Sequence, residues 1–222
     1  GFAVAIKLVK HWYQKKSENE ELERAKLRAE LELLKSQLHP HFMFNTLNSI
    51  YAMALRNSPQ TAEAIHQLSH LMRYMIAESG AASISVSSEV QLLRNYMNLE
   101  KNRIGDRLDQ SINVVGDIDN KKIAPLLLLP FLENSYKHGV YGSPDLAWLT
   151  LDISLKEQEL QFRLVNGKNR NLEQQSPGTG LHNVRKRLAM LYPGAHDLRI
   201  SENDDSFIVS LTLMLNRISI PV

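Results

Sequence analysis

Two imidazoles flank a proline in Gln37-Leu38-His39-Pro40-His41-Phe42-Met43-Phe44-Asn45-Thr46-Leu47-Asn48. A histidine displayed beside such a bend can carry a phosphoryl group, because neutral imidazole is a nucleophile near pH 7 and needs positioning more than activation. Asn45, one turn after His41, is expected to orient the ring through its side-chain amide. Glu133-Asn134-Ser135-Tyr136-Lys137-His138-Gly139 offers an amide oxygen beside a carboxylate. Those donors suit Mg2+, which neutralises the phosphates of a nucleotide, and Asn134 is the expected direct ligand. Gly178-Thr179-Gly180-Leu181-His182-Asn183 sets two glycines before a helix, where free amides and the helix dipole attract anions. Together the three segments read as an acceptor, a metal and phosphate site, and the hinge of a nucleotide lid.

Each of these needs an element to hold it. Leu27, Leu31, Leu34 and Leu38 recur in steps of four and three within a Glu, Lys, Arg, Ala and Leu-rich stretch, the spacing of a coiled-coil seam. The same stripe is also what a helix buried against its own chain would show. Pro40 lacks an amide hydrogen, so it bends a helix between the two histidines. Beyond it Phe42, Leu47, Ile50, Tyr51, Ala54 and Leu55 fall mostly on one face. Asn57-Ser58-Pro59 marks a turn, Ala62 to Ala77 a second helix, and Ser87-Ser88-Glu89 the start of a third that runs through Val90, Leu93, Tyr96, Met97 and Glu100 to Arg103. After Gly105 the period changes. Pro125 to His138 reads as a buried helix, while Leu149 to Leu155 and Leu160 to Leu164 alternate as half-buried strands. A helix over Leu181 to Leu191 and a hairpin across Asn203-Asp204-Asp205 complete an α+β half, with helices on one face of a mixed sheet.

With 222 residues and 43% apolar content the chain can bury a core, as one large domain or two small ones. Its 26 basic and 24 acidic residues balance too closely for a protein that grips nucleic acid mainly through phosphates. The absence of Cys excludes disulfides and thiolate metal sites. Near the start, Gly1 to Ile6 and Leu8-Val9 are apolar and are followed by Lys7, Lys10, Trp12, Tyr13, Lys15 and Lys16. That pattern fits either the cytoplasmic end of a membrane span or the start of a soluble amphipathic helix.

The segment around His41 resembles the phosphoacceptor motif of the LytS-type sensor histidine kinases. Pro125 to Gly139 is similar to that family's N-box, and Gly178 to Leu188 to its glycine box. The likeness extends from Leu34 to about Leu213 and implies a helical dimerisation and phosphoacceptor region followed by a GHKL (Bergerat-type) ATP-binding α/β sandwich. The implied segments are 1–16, the end of a transmembrane helix and a juxtamembrane segment; 17–36, a coiled-coil linker; 37–106, the dimerisation and phosphoacceptor region; and 107–218, the catalytic domain. By the same resemblance His41 accepts the phosphoryl group and Glu133 sits beside the metal, ordering water or taking a proton. Asn134, Lys137, His138, Asn166, Gly178, Thr179, Gly180, Leu181, Asn183 and Arg187 surround ATP and Mg2+. For Arg185 and Arg187, solvated helix charges are an equal reading.

The sequence departs from the family pattern at three places. Asn166 stands where many histidine kinases have an aspartate for the adenine amino group, and its amide oxygen can still accept that hydrogen bond. Phe42 replaces an acidic neighbour of the acceptor, and His39 fills a position usually polar or small. The resemblance implies a homodimer that autophosphorylates and passes the phosphoryl group to an aspartate on a response regulator receiver domain. It also implies attachment to the inner membrane through a preceding region, with this portion cytoplasmic, and no nucleic acid. Two rivals remain: a degenerate GHKL scaffold that only binds partners, and a GHKL ATPase without a phosphoenzyme.

Overall fold

The computed structural model describes residues 40–78, 81–141, 146–168 and 179–218, together with Trp12, Lys15, Lys16 and Glu20. The Leu27 to Leu38 stripe, His39, Gly178 and the rest of residues 169–178 lie outside the described residues. The chain forms two compact units, residues 1–45 and 46–222. In the first, the Lys16 ammonium lies 5.4 Å from the Trp12 ring centroid, a cation–π contact between residues one helical turn apart.

Helix α1 runs Pro40–Leu55 and helix α2 Thr61–Glu78. Pro40 is the first described residue of this helix, and the bend expected between His39 and His41 lies at the edge of the described residues. Asn57, with φ of 53°, turns the chain between them as Asn-Ser-Pro foretold. Strand β1 (Ile84–Ser85) leads into α3 (Val86–Ile104), whose first turn is capped by Ser85. The Ser85 hydroxyl accepts from the Ser88 amide at 3.0 Å, an interaction that typically contributes about 1 kcal/mol. The α2 stripe of Ala64, Leu68, Leu71 and Met75 is buried, and α2 packs on α3. Among the described residues, no helix is long and apolar enough to cross a membrane.

Strands β2 (Leu108–Val115), β4 (Ala147–Lys156), β5 (Glu159–Gly167), β6 (His196–Glu202) and β7 (Ser206–Met214) form one sheet in the order β2-β4-β5-β7-β6. Only β2 and β4 are parallel. Strand β3 (Lys122–Ile123) pairs with β1. The alternation in the sequence is the alternation in space. Leu149, Leu151, Ile153 and Leu155, then Leu160, Phe162 and Leu164, then Val209, Leu211 and Leu213 are all buried. Helix α4 (Leu129–Ser135) packs on β5 and on α5 (Thr179–Leu191), with the Phe131 and Phe162 rings 5.7 Å apart. The molecule is α+β, helices against a mixed sheet.

One element is shorter than its composition suggested. The helix expected from Pro125 begins only at Leu129, because Leu126 takes a left-handed φ of 53° and its amide bonds to a side chain elsewhere rather than within a helix. At its other end the helix does not stop at His138 but continues through a π-helical turn, Tyr136–Val140, closed by a 2.9 Å bond from the Tyr141 amide to the Tyr136 carbonyl. Single π turns of this kind gather at functional sites.

Candidate functional site

The inward phase of β5 carries past Leu160, Phe162 and Leu164 to Asn166, so a polar amide sits where the sheet otherwise presents hydrocarbon. Its side chain is 2% exposed. The amide nitrogen donates to the Gly167 carbonyl at 2.9 Å, and among the described residues Oδ1 has no hydrogen-bond partner. A buried acceptor without a donor is unfavourable by about 1–3 kcal/mol, so a ligand donor there would be rewarded with binding energy. Directly against it lies Gly139 in the π turn. A Cβ on Gly139 would stand 2.0 Å from Asn166 Nδ2 and 2.8 Å from the Gly167 carbonyl oxygen, so the glycine permits a close crossing of helix and strand. Gly167 in turn is covered by Trp148, whose indole nitrogen would be 2.7 Å from an added Cβ.

The turns leading to Gly139 present Glu133 and Asn134 half-buried, Lys137 exposed and His138 half-buried. Burial and the neighbouring Lys137 charge hold the His138 imidazole below its ordinary value. The sequence-predicted residues Asn134, Lys137, His138 and Asn166 thus belong to α4, its π turn and the end of β5, which meet at Gly139. On α5, Gly180 is exposed and an added Cβ would meet nothing within 4 Å. Asn183 is exposed, whereas the Leu181 side chain is 6% exposed and belongs to the core. Thr179 is the first described residue of α5, and its side chain lies outside the described residues. Arg187 is engaged with protein: its guanidinium donates to the carbonyls of Leu126 at 3.0 Å and Pro125 at 2.8 Å.

Two buried carboxylates of α3 were not singled out from the sequence. Glu89 is fully buried and accepts from the amides of Leu126 and Leu128, each at 3.0 Å, and from the Tyr74 hydroxyl at 2.9 Å. Burial pushes its carboxyl up; the Leu128 amide, the Tyr74 hydroxyl, the Leu126 amide and the Arg187 charge pull it back only in part. Glu100 accepts from the Tyr141 hydroxyl at 2.6 Å and pairs with Arg103 at 2.6 Å, while the Arg103 guanidinium lies 4.1 Å from the Tyr141 ring centroid. Burial raises Glu100 too, and the charge of Glu133 adds to that push. Tyr136 donates to Gln110, whose amide nitrogen reaches the Met97 carbonyl at 2.9 Å. The signal for both carboxylates was present: Glu89 and Glu100 share the apolar stripe of Val86, Val90, Leu93, Tyr96 and Met97, where an acid is out of place unless partnered.

His41 lies on α1, and its side chain is outside the described residues. Asn45 is half-buried. Along the same helix Phe44, Leu47, Tyr51 and Leu55 are 67, 51, 65 and 67% exposed. Of the face expected from the sequence, Ile50 is buried whereas Leu47, Tyr51 and Leu55 are exposed, and Phe44, outside that face, is exposed with them.

The histidine kinase family matches residues 29–108 of the chain. The Sensor protein LytS of Enterococcus faecalis is 27% identical over 188 residues, covering 79% of this chain and 32% of that protein. The Sensor histidine kinase YpdA of Escherichia coli is 31% identical over 199 residues, covering 83% and 34%. The chain therefore spans about a third of the length of the curated relatives it matches. A solved histidine kinase domain from the Erythrobacter litoralis EL346 blue-light activated histidine kinase matches with a TM-score of 0.47 and 17% identity, covering 83% of this chain and 96% of that one.

Proposed function

We propose that this chain, a relative of the LytS-type sensor histidine kinases, is the kinase portion of a two-component sensor that autophosphorylates on His41 with Mg·ATP. The observation that carries the reading is the buried Asn166 acceptor, without a hydrogen-bond partner among the described residues, at the crossing of β5 with the Asn134 helix. An adenine-type acceptor at that crossing would share a site with Glu133 and Asn134, the polar residues at the end of that helix. The exocyclic amino group of adenine is the donor Asn166 Oδ1 would take. Lys137 and His138 would face the phosphates, and the Gly178 to Asn183 segment would close over them. Among the described residues no three His, Cys, Asp or Glu groups gather to hold a metal alone. The donor set of Asn134 beside Glu133 nonetheless fits Mg2+, which takes most of its oxygens from phosphates and water. When bound, the ion neutralises phosphate charge.

In the step we propose, a neutral His41 nitrogen attacks the γ-phosphorus in line. The N–P bond forms as the bond to the β,γ-bridging oxygen breaks, ADP leaves with that electron pair, and the ring gives up its proton. Asn45 would orient the imidazole. The phosphoryl group would pass next to an aspartate of a receiver domain. We propose the segment boundaries that the sequence suggests: 17–36 a coiled-coil linker, 37–106 the dimerisation and phosphoacceptor region, 107–218 the GHKL catalytic domain. The basic, aromatic stretch from Lys7 to Lys16 supports a place at the cytoplasmic face of a membrane. The exposed stripe on α1 supports a homodimer.

Incubation with γ-labelled ATP and Mg2+ tests the reading. Acid-labile label should appear on the wild type and vanish in His41→Gln and in Asn134→Ala. Label that survives His41→Gln but disappears in His39→Gln would move the acceptor, and phosphate release with no labelled protein would favour an ATPase.

A further inference from the structure

The loop of residues 124–128 leads directly into the helix that carries Glu133 and Asn134, and it is gripped on both sides of its backbone. On the carbonyl side, Arg187 of α5 holds Pro125 and Leu126. On the amide side, Glu89 of α3 holds Leu126 with Oε2 and Leu128 with Oε1. The Ala124 amide donates to the Tyr192 hydroxyl at 3.0 Å, a third hold just upstream. Leu128 is the N-cap of α4, and Phe131, three residues on, has no polar side chain to reach back to its amide, so Glu89 supplies from another helix the acceptor that this amide would receive in a capping box.

The same carboxylate has one more donor. Tyr74, on α2 beside the buried stripe of Leu71 and Met75, gives its hydroxyl to Glu89 Oε2, the oxygen that also holds Leu126. A single oxygen therefore joins the helical hairpin to the approach of the Asn134 helix.

We propose that Glu89 is a positioning residue for nucleotide binding, fixing the start of α4, and that Tyr74 ties this setting to helix α2. The assignment rests on the nucleotide-binding reading above. Two bonds from one carboxylate to amides two residues apart fix the loop in direction as well as in place. An apolar residue of similar volume would fill the same space but leave the Leu126 and Leu128 amides without acceptors. A displacement of α2 by about an ångström would take the Tyr74 bond out of hydrogen-bonding range. Movement of the hairpin thereby reaches Glu133 and Asn134 through Oε2, the loop and the first turn of α4.

Tyr74→Phe removes only the hydroxyl and keeps the ring, and Glu89→Gln keeps the shape of the carboxylate while turning one acceptor into a donor. Amide hydrogen exchange of the nucleotide-free protein, resolved at Leu126 and Leu128 by NMR, reads the loop. Displacement of a fluorescent ATP analogue in the presence of Mg2+, well below the unfolding temperature, reads the site. In Tyr74→Phe, both amides should exchange faster and nucleotide affinity should fall about tenfold, the size of one lost bond to a carboxylate. Glu89→Gln should move both readouts further. A Tyr74→Phe protein that loses only thermal stability, with exchange at these two amides and nucleotide affinity at wild-type values, overturns the assignment. A wild type that binds no nucleotide overturns the functional reading and this assignment together, so the two failures are distinguishable.

Discussion

His138 shows how much a single residue's surroundings alter its chemistry. Burial, assisted by the adjacent Lys137 charge, lowers its affinity for a proton relative to the ordinary value of 6.5. As pH falls from neutrality the unfolded chain therefore takes up that proton before the folded one. The group contributes stability above about 6.5 that is lost on acidification through its lower folded value. Thermal melts from pH 8 to pH 5 should show a shallower acid decline in His138→Gln than in the wild type, and identical slopes would contradict the assignment. Asn166 is the converse case: among the described residues its Oδ1 has no hydrogen-bond partner, and the proposed nucleotide would supply one. Its place in the inward series Leu160, Phe162, Leu164 was legible from period two alone, and its chemistry from the contrast between an amide and three hydrocarbons. Glu89 and Glu100 carried the same kind of signal on α3, with the difference that nothing nearby in sequence named their partners.

Among the elements, the segment from Ala124 to Val140 departs most from local preference. Four successive leucines, Leu126 to Leu129, are strong helix formers. Three of them nonetheless stay outside the helix, because Leu126 turns left-handed and Glu89 captures two of their amides. The other end of the segment explains Gly139. It reads in sequence as a helix terminator, yet the chain runs on to Val140, and the glycine is required instead by the crossing with β5. Gly139→Ala should lower stability by about 1–3 kcal/mol through overpacking, measured by urea denaturation. It should also weaken nucleotide binding more than a neutral surface change of equal stability cost. Unaltered stability would mean that the strand end yields freely.

For the whole molecule, the exposed stripe of Phe44, Leu47, Tyr51 and Leu55 points to a second copy of the chain, since its spacing is that of a helix seam and its exposure is unusual for residues of this size. Sedimentation should report twice the chain mass for the wild type and the single mass for Tyr51→Glu. A wild type that sediments as a monomer at micromolar concentration would remove the dimer. The sequence alone determined the helical first half, the α+β second half, the alternation of the sheet and the chemistry available at His41, Asn134 and Asn166. Those are properties of neighbouring residues, written in periods of two and of about 3.6, and in side-chain functional groups. Only the tertiary structure decided that Gly139 would meet Asn166 and that Arg187 would grip carbonyls 61 and 62 residues away. It alone also joined Glu89 to amides 37 and 39 residues on and to Tyr74 15 residues before it. Contacts at such separations arise when whole elements pack, and no local period encodes which buried polar group will find which backbone group.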